Sequence, residues 1–101
     1  MRVELTRESA IDLAEIYEYN LSQHGEIRAE KVKADINASL QNLAITYFIH
    51  PLYTAIPSRK DIHVKHHRNT YSFFYRVSEG LGEILLLRIW HNARNPKELQ
   101  L

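Results

Sequence analysis

Two stretches in the carboxy-terminal half concentrate the side chains able to do chemistry. The first is Lys65-His66-His67-Arg68-Asn69, with His63 just before it. Histidine titrates near neutrality and can pass a proton, while Lys and Arg carry charge that neutralises phosphate. In an extended strand His63, Lys65 and His67 share one face and His66 lies opposite. Together with Arg68, that set could hold a phosphodiester and serve as acid and base on RNA. It could equally be a solvated strand edge, because Lys and His discourage edge-to-edge pairing. Adjacent His66 and His67 point to opposite faces, so the three histidines do not converge as metal ligands, and no metal is expected.

The second stretch is Arg88-Ile89-Trp90-His91-Asn92-Ala93-Arg94-Asn95-Pro96. Arg88 interrupts an apolar run. If its face is covered, the charge needs a partner such as Glu83 or a helix carboxylate. Trp90 offers a large apolar area to a partner chain. His91 closes the strand and could act as acid or base or simply cap it. Phe74 alternates with Ser72 and Arg76, which makes it the expected surface aromatic. Arg88, Trp90, His91, Arg94, Phe74 and Arg76 thus form the expected surface for a partner or target.

Other chemistries are excluded or unsupported. There is no cysteine, hence no disulfide framework, no thiolate nucleophile and no cysteine-ligated metal. No phosphate loop, dinucleotide fingerprint, HExxH or serine-hydrolase motif is present, so no cofactor is expected. No run approaches the ~18 apolar residues of a membrane span, and the amino terminus lacks a signal-peptide core, so a cytoplasmic location is expected. The net charge of +1 hides an asymmetry. Residues 1–57 hold 5 Lys/Arg and 8 Asp/Glu, whereas residues 58–101 hold 8 and 4. A basic half suits a nucleic acid or an anionic partner.

The elements that must position these residues follow from periodicity. At 101 residues the chain fits one domain, 1–101. Residues 1–5 alternate as a short strand. Thr6 can cap a helix that buries Ala10, Leu13, Ala14, Tyr17 and Leu21 and turns Asp12, Glu15 and Glu18 outward; Gly25 ends it. A second helix buries Ala29, Val32, Ile36, Leu40, Leu43 and Tyr47, so the pair should form an antiparallel hairpin. Pro51 and Pro57 mark a loop. Strands are expected at 62–67, 70–77 and 83–91. In the last, Leu85, Leu87 and Ile89 should share one face and Ile84, Leu86, Arg88 and Trp90 the other. The fold class is α+β: an amino-terminal strand, a helical hairpin and a three-stranded antiparallel meander in one sheet. One helical layer should leave the second sheet face open to a partner helix or strand.

This order, the TYSFFYRV strand, the glycine turn and the closing LLLRIWHNARNP together resemble the RelE/ParE superfamily of type II toxin–antitoxin toxins. DLAEIYEY in the first helix also matches those toxins. The resemblance spans almost the whole chain and is closer to ParE. It rests on Leu87, Arg88, Ile89, Trp90, His91, Ala93 and Arg94. Asn92 stands where the RNase branch places a tyrosine, and no tyrosine follows Tyr75. The resemblance implies a cytoplasmic toxin neutralised by a cognate antitoxin, which would wind over the helical hairpin and sheet, with DNA gyrase as the target. The alternatives are a ribosome-dependent mRNA endonuclease using His63, Lys65, His67, Arg68 and His91, and an inactive toxin fold that binds its antitoxin. No small-molecule cofactor or membrane partner is implied.

Overall fold

The computed structural model describes residues 1–101. Strand β1 (Arg2–Leu5) leads into helix α1 (Arg7–His24) and helix α2 (Glu26–Thr46), which runs into a 3-10 turn at Tyr47–Ile49. Strands β2 (His63–His67), β3 (Tyr71–Ser78) and β4 (Glu83–His91) follow, with a last 3-10 turn at Pro96–Glu98. The sheet order is β1-β4-β3-β2. The three later strands form the expected antiparallel meander, and β1 lies parallel to β4, so the sheet is mixed. No helix is long and apolar enough to cross a membrane.

Local chemistry sets the helix boundaries. Thr6 caps α1, its hydroxyl accepting from Ser9 N–H at 3.1 Å. The same hydroxyl donates to the Leu87 carbonyl at 3.0 Å, so the start of α1 is fixed to β4. Gly25 joins the helices at φ 87, ψ 176, a conformation open essentially to glycine alone.

The helical layer covers one sheet face. Ile36, Leu40 and Leu43 of α2 pack on Tyr71, Phe73 and Tyr75 of β3 and on Ile84, Leu86 and Ile89 of β4. The α2 stripe is therefore as expected, but α1 is rotated from its predicted phase. Ser9, Asp12 and Asn20 are its buried residues, while Ala10 and Ala14 are exposed. Asp12 faces inward, not outward.

Two further expectations are corrected on the sheet. A bulge between Phe74 and Tyr75 pairs Phe74 with Arg88 but Tyr75 with Leu86, leaving Leu87 as an extra residue. Side-chain parity along β4 flips there. Ile84, Leu86 and Ile89 face the helices, while Leu87 and Trp90 face away. The second sheet face is also not open. Ile62, Val64, Phe74 and Trp90 form a smaller core beneath Tyr53 of the long loop and Leu99 and Leu101 of the tail. The tail is tied down by Arg59, which donates to the Leu101 carbonyl at 2.8 Å.

Candidate functional site

The site begins with α1. Because Thr6 anchors that helix on β4, the inward face of its second turn meets the strand beyond the point where β1 ends. The β4 edge there has no neighbouring strand, and Asp12 takes its place. Asp12 Oδ2 accepts from Ile89 N–H at 3.0 Å. It also accepts from Arg88 Nε at 2.7 Å, and Oδ1 accepts from Arg88 Nη2 at 2.9 Å. The fork-to-fork pair is nearly dry, with side-chain exposures of 5% for Asp12 and 16% for Arg88. Hydrogen bonding to Asp12 raises the already high pKa of Arg88. Of the partners expected for Arg88, the helix carboxylate is the one found.

Two guanidinium groups lie over the Trp90 ring. Arg94 sits 4.0 Å from its ring centroid and Arg88 5.2 Å. Arg88, Trp90 and Arg94 are thus brought together, but the indole is a core residue rather than a free surface, at 3% exposure. Its N–H has no hydrogen-bond partner. Phe74 is likewise buried, at 4%, because the tail and loop cover its face; the expected surface aromatic is a core residue. Arg76, further along β3, is exposed and apart from this stack.

His91 ends β4 in the open. Its Nδ1 accepts from Ala93 N–H at 3.0 Å, and its ring meets Tyr71 edge-on at 5.3 Å. A cleft of ≈ 280 Å³ opens beside it, floored by Ile16, Tyr71 and Ile89 and bordered by Tyr19 and Arg94. It combines an apolar base with a polar rim, the composition of a docking pocket.

The other candidate set is spread out. His63, Lys65 and His67 do share the helix-facing side of β2, as the strand period predicted. There they are engaged. His63 stacks on Tyr75 at 5.4 Å, and its Nδ1 donates to the His50 carbonyl. His67 stacks on Phe73 at 5.6 Å. Lys65 Nζ donates to the Ser39 carbonyl at 3.0 Å and to Asn42 at 3.2 Å, and burial lowers its pKa. His66, on the opposite face, donates from Nδ1 to Ser72, whose hydroxyl in turn donates to Asn92. Arg68 lies in the β2–β3 turn. No group of three or more His, Asp or Glu residues is placed to hold a metal.

The family model described as "ParE toxin of type II toxin-antitoxin system, parDE" matches residues 3–96. The chain belongs to the ParE toxin family. The toxin also resembles a chain of the "Chromosomal ParDE TA system from P. aeruginosa" at TM-score 0.74 and 26% identity, over 90% of this chain and 95% of that one. No curated protein matches the toxin by sequence. It is a type II toxin–antitoxin toxin with the RelE/ParE-like fold. Residues absent from the sequence-derived site, Asp12, Tyr19 and Tyr71, are central to the toxin's cleft. DLAEIYEY contained the first two, but nothing local to that motif reveals that its aspartate is buried.

Proposed function

We propose that the toxin acts in the cytoplasm, that it is neutralised by a cognate antitoxin, and that it inhibits DNA gyrase by binding rather than by bond cleavage. The observation that supports binding is the state of the candidate catalytic side chains. His63 and Lys65 are held by carbonyls, an amide and an aromatic ring on the helix-facing side of β2 and His67 stacks on Phe73, which leaves Arg68 and His91 as the exposed members of the set, on separate elements. A general acid and base need free atoms within hydrogen-bond reach of one reacting group. The exposed end of β4 suits contact instead. His91 and Arg94 border the apolar cleft and would meet the target, and Arg88, Trp90 and Phe74 would hold that surface in shape. Arg76 would extend it along β3. The paired ParDE name of the structural neighbour supports the antitoxin, and the basic carboxy-terminal half suits an acidic partner segment.

The test is purified toxin in two assays, gyrase supercoiling and mRNA cleavage on programmed ribosomes. Inhibited supercoiling, weakened in His91→Ala and Arg94→Ala and relieved by the antitoxin, is the expected result. Codon-specific cleavage that is lost in His91→Ala would overturn the reading in favour of an endonuclease. Tight antitoxin binding with neither activity would mark an inactive fold.

A further inference from the structure

A second cleft, of ≈ 250 Å³, lies where α1, the start of α2 and the β2–β3 turn meet. Its cations come from separate elements. Arg28 and Lys31 stand on α2, three residues apart and so on one face, and Arg68 stands on the turn. The nearby α2 acids lie elsewhere: Glu30 accepts from the Tyr17 hydroxyl on another face, with Glu26 close by. Asp35 is the one acid lining the cleft, and it is 3.5 Å from Arg68. Neither Arg28 nor Lys31 enters any ion pair. The cleft therefore carries an excess of unmatched positive charge in a concave setting, where such charge is most effective.

Two backbone features border the cleft. The amino terminus of α2, beside Arg28, has no side-chain cap, and the partial positive charge of its N–H groups is offset by Glu26 in the same turn. Arg68 and Asn69 both take positive φ, 52° and 58°, and Thr70 N–H bonds to the His67 carbonyl to close a tight two-residue turn. That turn fixes the base of Arg68 at the rim. His67, also lining the cleft, is held below its usual pKa first by burial and then by Arg68, against an opposing pull from Asp35.

Carboxylates could also satisfy such a trio, but the rim favours a nucleotide. Tyr19 is 61% exposed, an unusually free aromatic at the edge of a cationic cleft, and Asn20 and Thr70 add neutral hydrogen-bonding groups. Exposed aromatics beside unpaired cations suit single-stranded nucleic acid, because the ring stacks a base while the cations hold the backbone. We propose that this cleft binds the phosphate backbone of a single-stranded nucleic acid, with Arg28, Lys31 and Arg68 on phosphate and Tyr19 stacking a base. This is binding without cleavage, and it requires neither gyrase nor antitoxin.

The experiment measures fluorescence anisotropy of a labelled single-stranded oligonucleotide of about ten residues, as DNA and as RNA, with the full chain alone. Up to three phosphate contacts imply a loss of affinity on the order of 20-fold between about 50 and 200 mM salt. The double variant Arg28→Ala/Lys31→Ala should bind at least about tenfold more weakly at low salt and lose only about threefold over the same range. Tyr19→Ala should weaken binding on the order of tenfold while leaving the salt slope unchanged. Lys33→Ala removes one positive charge from α2 outside this cleft, where Lys33 lies over Tyr17, and should have no effect. All four side chains lie on the surface, and unchanged melting temperatures would confirm that each variant folds. Absence of binding, or equal weakening by Lys33→Ala, would overturn the proposal. So would a polyglutamate peptide of matched length binding as tightly, which would assign the cleft to an acidic protein. Displacement by a mononucleotide as tight as by the strand would overturn the strand and leave a free nucleotide as ligand. Supercoiling inhibition by the Arg28→Ala/Lys31→Ala variant is scored separately, so either reading can fail alone.

Discussion

Asp12 accepts three hydrogen bonds from β4, two from the Arg88 guanidinium and one from Ile89 N–H. Removing it strands a nearly buried charge and an edge amide at once. Asp12→Ala should therefore lower unfolding free energy by about 3–5 kcal/mol in urea denaturation, against about 1 kcal/mol or less for an exposed pair. Replacing both partners, Asp12→Leu with Arg88→Met, should recover the part of that loss due to the stranded charge, while the Ile89 N–H stays unpaired. If the single variant lost under about 1 kcal/mol, the pair would be behaving as a surface contact. The sequence located Arg88 and the need for a partner, but not Asp12. The apolar residues Ala10, Leu13, Ala14, Tyr17 and Leu21 give one helix phase, whereas the observed inward set includes Ser9, Asp12 and Asn20. Hydropathy cannot show that a polar residue is satisfied inside when its partner lies 76 positions away.

Among the elements, β3 is tied to the 3-10 turn that follows α2. The buried Tyr75 hydroxyl donates to the Tyr47 carbonyl at 2.7 Å, and burial pushes its pKa from the usual 10.0 to about 12. A folded-state pKa above the unfolded one means that the neutral form favours folding. That contribution is whole below pH 10 and is lost as pH rises toward 12, a decline of about 2–3 kcal/mol. Tyr75→Phe should cost about 1 kcal/mol at neutral pH through the missing hydrogen bond, yet flatten the decline between pH 10 and 12. Denaturation midpoints across that range check it; an unchanged decline in the variant would assign the pH sensitivity to other groups. Element boundaries were readable because their signals are local: the Thr6 cap and the Gly25 conformation act within a turn. The β4 faces were misassigned because the bulge at Leu87 belongs to the pairing of two strands and leaves no mark in either one alone.

At the scale of the whole molecule, the meander and helical hairpin were evident from periodicity, and the open second face was the one large error. It assumed that only helices cover a sheet. Here Phe74 and Trp90 are too large to leave in water, and the long loop and tail supply Tyr53, Leu99 and Leu101 to cover them. Among the apolar side chains that stay exposed are Ile45, Phe48 and Ile49, at the far end of α2 and its continuation. The tail's role can be read from one signal, since Trp90 is the only tryptophan and is 3% exposed with its N–H unpaired. Its fluorescence should be blue-shifted and resistant to acrylamide in the full chain. Removing residues 95–101 deletes Leu99, Leu101 and the Arg59 anchor, and should shift the emission to the red and increase quenching. Circular dichroism should still report both helices, because their core lies on the opposite sheet face. Unchanged emission after truncation would mean that the loop alone shields Trp90. Loss of the helical signal would mean instead that the two cores fold as one unit, and that the tail supports the helical layer as well as the face it covers.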